Sequence, residues 1–119
     1  MGIKRYTASL DTTITNAYKE NLSTRGTGSN MGASDILEVF SIYGQADSGS
    51  TELSRVLIQF PTDEVASSRT SGLIPASGNV SFYMRLFNAR HSEQLPRDFT
   101  LTVVPVSASW EEGYGLDME

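Results

Sequence analysis

The side chains that could do chemistry are few and scattered. His91 is the single histidine, between Arg90 and Ser92 in a polar stretch, with no second histidine to share a metal. No cysteine is present, which removes thiolate nucleophiles, disulfides and cysteine-based zinc sites. There is neither a Gly-x-Ser-x-Gly elbow nor a phosphate loop ending in Gly-Lys-Ser/Thr. The run Gly26-Thr27-Gly28-Ser29-Asn30-Met31-Gly32 has the glycines of a phosphate cradle but lacks the following lysine and any helical pattern after it. Carboxylates at Glu20, Asp35, Glu38, Asp47, Glu52, Asp63, Glu64, Glu93 and Asp98 show no spacing that singles out a pair. A glycosidase pair is defined by separation in space rather than in sequence. The expectation is a protein that is not an enzyme.

Two binding chemistries have candidate residues. Calcium takes about six to eight oxygen ligands, and the carbonyl-rich loop around Asn30, with Asp11 and Asp35, could supply oxygens. Calcium is the only cofactor the residues suggest. A sugar face stacks on a flat exposed ring, and Tyr83, Phe87 and Tyr114 are the candidate glycan contacts; burial of such rings against protein is the commoner fate. The sequons Asn21-Leu22-Ser23 and Asn79-Val80-Ser81 read as accidental without a secretion signal.

Composition narrows the partners. The chain has 119 residues, one domain's worth, and a formal charge of −5. That sign disfavours a polyanion-binding role, so no nucleic-acid partner is expected. No apolar window is long enough for a membrane span, and the first residues, Met1 to Tyr6, carry no signal-peptide pattern. Either the protein stays in the cytoplasm or it leaves by another route, for example as part of a virion, or a signal has been removed from it.

The elements that must position these residues read as strands. The run Arg55-Val56-Leu57-Ile58-Gln59-Phe60-Pro61 is the most compact apolar stretch and predicts a central strand. Tyr6, Ala8 and Leu10 alternate with polar residues over Lys4 to Ile14. Asn16 to Ala33 is a long polar connection, a length usually associated with function or contact. Asp35 to Tyr43 predicts a strand joined to the central one through the turn residues Gly44 to Ser50. Pro61 to Ser68 predicts one or two helical turns, with Thr62 as cap and Asp63 and Glu64 complementing the helix dipole. After the loop Arg69 to Asn79, Val80 to Asn88 alternates most cleanly, with Phe82, Met84 and Leu86 on the core side. Phe99 to Val106 predicts another strand, with Pro105 marking an edge or bulge. About five to seven strands and one short helix make an all-β antiparallel sandwich, jelly-roll-like, with long loops.

The order of these features carries a resemblance. Asp11-Thr12-Thr13-Ile14, then Asn30-Met31-Gly32, then Arg55-Val56-Leu57-Ile58-Gln59-Phe60, and finally Trp110-Glu111-Glu112-Gly113-Tyr114-Gly115 follow one another across nearly the whole chain. The set resembles the disaggregatase-related, DNRLRE-type β-sandwich modules, with their Asp-x-x-Ile, Asn-x-Gly, Arg-x-Leu-Leu-x-Phe and Trp-x-Glu-Gly-x-Gly signatures. The resemblance implies a non-catalytic module, in many relatives carbohydrate-binding, and related sandwiches are similar to structural proteins of tailed phages. Two departures stand out. Pro61 follows Phe60 where the family usually has Asp, and the family continues past the Trp-Glu-Gly segment, so the expectation is either a C-terminally truncated domain or one whose missing strands are replaced by another chain. The expectation is therefore a structural or adhesion module of a tailed-phage virion, assembling with itself or with other virion proteins. The alternative is an extracellular carbohydrate-binding module that meets a host-surface glycan through a calcium-organised loop.

Overall fold

The computed structural model describes residues 2–27, 30–92 and 98–116. Its regular elements are β1 (Leu10–Thr15), β2 (Ser41–Tyr43), β3 (Thr51–Gln59) and α1 (Thr62–Thr70). The strands form one antiparallel sheet in the order β1-β3-β2. β3 is thus central, as its apolar sequence predicts. Its register sets Leu10 opposite Gln59 and Thr15 opposite Ser54 on one side, and Ser41 opposite Leu53 and Tyr43 opposite Thr51 on the other. The β2–β3 hairpin turns where the sequence predicts. Gly44, at a φ of 73°, takes the left-handed conformation that glycine adopts freely, and the Ser50 hydroxyl accepts the Ala46 and Asp47 amides at 3.0 and 3.2 Å.

The sheet is pinned by polar side chains more than by an apolar core. Glu52 and Ser54 share one face of β3 by strand alternation, Ser50 immediately precedes the strand, and all three are buried. Each holds down a neighbouring segment: Ser54 accepts the Phe40 amide at 2.7 Å and donates to the Glu38 carbonyl at 2.8 Å, and Glu52 accepts the Tyr18 amide at 2.7 Å. Thr13, on β1, accepts the Glu38 amide at 3.0 Å. These bonds explain why the strand expected over Asp35 to Tyr43 shrinks to Ser41–Tyr43. Side-chain oxygens take the amides of Glu38 and Phe40, so the backbone there runs outside any ladder. Val56, Leu57 and Ile58 are half-buried and Phe60 is exposed, while Met31 and Ile74 are the buried apolar residues among those described.

The helix begins at Thr62, so Thr62 is not its cap. Pro61 occupies that position and offers no side-chain bond, because its ring has no hydrogen-bonding group. Asp63 and Glu64 lie in the first turn as expected. The helix closes with the Leu73 amide on the Ser68 carbonyl at 2.9 Å and the Gly72 amide on Arg69 at 3.2 Å. Gly72, at a φ of 80°, sits at the left-handed position that this closure needs.

The remaining predicted strands are corrected. β1 starts at Leu10, and Tyr6 to Ala8 join no ladder. Neither Val80 to Asn88 nor Phe99 to Val106 pairs with another described strand. Alternation makes a segment suited to a sheet, but a strand exists only where a second backbone meets its amides and carbonyls. The alternation of the first segment survives as a gradient. Phe82, Met84 and Leu86 are 64, 44 and 58% exposed, against 90 and 80% for Tyr83 and Phe87. The protein is therefore strand-rich with one short helix and a three-stranded antiparallel sheet among the described residues.

Candidate functional site

The long connection after β1 is more ordered than its composition suggests. Tyr18 and Arg25 form an isolated antiparallel bridge, closed at its tip by Asn21, whose side-chain oxygen accepts the Ser23 and Thr24 amides at 2.9 and 3.0 Å. This sets the Arg25 guanidinium 3.9 Å from the Tyr18 ring centroid, where the ring face attracts a cation. Arg25 Nη1 also donates to the carbonyls of Asn16 and, at 3.2 Å, Thr51. The arm is thereby strapped over the sheet beside Glu52. Glu52 is 3% exposed, and its second carboxylate oxygen is buried with no hydrogen-bond partner among the described residues.

The outer edge of β1 borders a cleft of about 520 Å³ lined by Thr12 to Asn16, Arg25 to Thr27, Asn30, Glu111 and Glu112. The edge groups can be assigned from the ladder. Asn16 donates its amide to the Leu53 carbonyl at 3.3 Å, and alternate residues of an antiparallel strand address the same neighbour. Leu10, Thr12, Ile14 and Asn16 therefore face β3, while Asp11, Thr13 and Thr15 turn their amides and carbonyls toward the cleft. The Asp11 amide meets Glu112 Oε1 at 2.7 Å, which occupies one end of that edge.

Two of the sequence motifs meet at the cleft rim. The Asn30 side-chain oxygen accepts the amides of Gly115 at 2.6 Å and Gly32 at 3.3 Å, and the Ala33 amide donates to the Gly115 carbonyl at 2.8 Å. The two runs pass so closely that a Cβ on Gly32 would overlap the Glu112 carbonyl, and one on Gly115 would overlap that of Asn30. The Asn-x-Gly and Trp-x-Glu-Gly-x-Gly runs are thus two halves of one clasp, a relation their separation in sequence gave no means of reading.

Of the calcium candidates, Asn30 belongs to this clasp. Asp11 reaches it only through its backbone amide, and Asp35 is exposed beyond the crossing. The Asn30 oxygen already serves two backbone donors, so binding a cation would compete with the clasp. No three of His, Cys, Asp and Glu converge among the described residues. The glycan candidates stay separate from the cleft lining. Tyr83 is 90% and Tyr114 95% exposed, and Phe87 lies under the Arg85 guanidinium, 4.9 Å from its ring centroid. Glu52, Arg25 and Glu112 are the residues of the candidate site that the sequence did not single out. Glu52 had a faint signal, a polar residue at alternate spacing with Ser50 and Ser54; the other two had none.

A second cleft, of about 720 Å³, lies at the other end of β1. Val104 to Trp110 run there beside Leu10 and Ile58 to Phe60. No helix among the described residues is long and apolar enough to cross a membrane. No family model, curated protein or solved structure matches the chain.

Proposed function

We propose that the chain is a non-enzymatic assembly module whose strand-like segments are completed by contact with other chains. The setting suggested by its motif order is the virion of a tailed phage, with other copies or other virion proteins as partners. The observation that carries this reading is surplus surface. The chain exposes 10125 Å², whereas a compact monomer of 13.0 kDa would expose about 6,300 Å². The difference, roughly 3,800 Å² on one chain, is more than the about 1,000–2,500 Å² per partner that an obligate interface of about 2,000–5,000 Å² in total buries. The radius of gyration, 17.9 Å, likewise exceeds the about 13–14 Å of a compact chain this long. Phe82, Leu86, Phe99, Leu101, Val103 and Val106 contribute to the excess, each more than half exposed, and large apolar exposure marks interaction surfaces. Light scattering across a concentration series tests the reading. A self-assembling module runs as oligomers, while a strict monomer at high concentration refutes self-association.

A second reading is an extracellular carbohydrate-binding module, favoured by the open rings of Tyr83 and Tyr114. It requires glycan binding that Tyr83→Ala or Tyr114→Ala abolishes. If calcium organises the loop through Asp11, Asn30 and Asp35, a chelator lowers the thermal midpoint by mass action. An unchanged midpoint removes calcium from this reading.

A further inference from the structure

We infer that the outer edge of β1 receives the Val80–Phe87 segment of a second copy as an added strand. This rests on the assembly reading and names the surface and its occupant. The acceptor is Thr13 and Thr15. Their amides point away from β3 by ladder parity, and among the described residues no backbone or side-chain acceptor meets them. Thr13 is 2% exposed, so an amide left unpaired there costs more than one in water. The adjoining cleft runs along that edge from Thr12 to Asn16. Strand addition satisfies such groups with backbone alone, and side-chain alternation then sets which face is buried.

The donor is on the same chain. Val80 to Phe87 lies in no helix, turn or ladder, makes no backbone hydrogen bond to any described residue, and leaves Phe82, Met84 and Leu86 exposed at alternate positions. Two observations favour it over Phe99 to Val106. Pro105 removes a ladder donor from the latter, and Val104 to Val106 already flank Leu10 in the second cleft. Charge agrees: Glu111 and Glu112 wall the acceptor cleft, and Arg85 is the single charged residue of Ser81 to Phe87. The surplus surface of one chain is large enough for a stable interface. Because acceptor and donor are different surfaces of one chain, reciprocal exchange closes a dimer and one-way exchange propagates.

The absence of cysteine makes the test clean. Ile14→Cys, at a position 44% exposed, is mixed with a panel carrying one cysteine each at Ser81, Phe82, Tyr83, Met84, Arg85 and Leu86. Far-UV circular dichroism confirms that each variant folds. Strand pairing gives mixed disulfides at alternate positions, formed several-fold faster than at their neighbours, because only one strand face meets Ile14. Oligomers that lack the alternating pattern, or that cross-link faster through Val103→Cys, overturn this inference and leave the assembly reading intact. A strict monomer overturns both. A monomer in which Ile14→Cys and Arg85→Cys join within one chain shows the segment closing its own sheet, which also refutes the second copy. Hydrogen exchange on the unaltered chain gives an independent readout. Protection of the Thr13 and Thr15 amides rises with protein concentration, and concentration-independent exchange refutes the pairing.

Discussion

Replacing Gly32 by alanine tests whether the two motif runs cross as described. The new Cβ would fall on the Glu112 carbonyl, with the Gly113 carbonyl also in the way. Both obstacles are backbone, so no side chain can rotate aside, and the crossing itself must open. Overpacking of this kind costs about 1–3 kcal/mol. Opening also weakens the Ala33–Gly115 bond, a further loss of about 1 kcal/mol. The expected destabilisation is about 2–4 kcal/mol. At roughly 4 °C per kcal/mol for a domain of this size, the midpoint falls by about 8–16 °C. Thermal and urea unfolding followed by circular dichroism measure it. Gly49→Ala is the control, because its Cβ would meet nothing closer than an ordinary contact with Asp47 at 3.8 Å. Gly113→Ala should fall with Gly32→Ala, and the double variant should lose less than the two combined, since both disrupt one crossing. A Gly32→Ala chain within about 0.5 kcal/mol of the parent, the level of an ordinary surface change, would refute the clasp.

Other substitutions test the sheet and its polar pins. Glu52→Gln keeps an acceptor for the Tyr18 amide and removes a buried charge, so stability should hold or rise by up to about 1 kcal/mol; Glu52→Ala should lose about 1–3 kcal/mol. Equal losses in denaturant titrations would contradict the orphaned carboxylate oxygen. Ile58 stands opposite Asp11 in the ladder, so Ile58→Asp sets like charges across the strands and should destabilise by at least about 2 kcal/mol, while Ile58→Lys should be milder. A milder Ile58→Asp would show the register to be different. Tyr114→Ala should change stability by no more than about 0.5 kcal/mol, as its ring is 95% exposed; a larger drop in midpoint would mean that the ring packs against protein.

Local chemistry made some of the fold legible. β3 is announced by the apolar run Val56-Leu57-Ile58, the β2–β3 turn by Gly44 and Asp47, and the start of α1 by Pro61, Asp63 and Glu64. Thr62 misled because Thr also fits the first helical turn and Pro61 can occupy the cap position without a side-chain bond. The segments Val80 to Asn88 and Phe99 to Val106 misled for a different reason. Their alternation is real, yet alternation describes one backbone, and a strand is a property of two. At the site, Asn30 was legible as a loop ligand by its oxygen, but a nearby backbone amide competes for that oxygen as a cation would.

By itself, the sequence determined what depends on residue type and near neighbours: an acidic, cysteine-free, strand-rich chain with a central apolar strand, one short helix and a glycine-rich loop. Only the tertiary structure decided which distant groups meet. It placed Glu112 on the Asp11 amide, Tyr18 on Glu52, and Gly115 against Asn30. The physical reason is that a hydrogen bond depends on distance and direction in space. Neither is encoded in the spacing of residues separated by dozens of positions, and the same holds for the edge of β1, where the Thr13 and Thr15 amides meet no acceptor among the described residues.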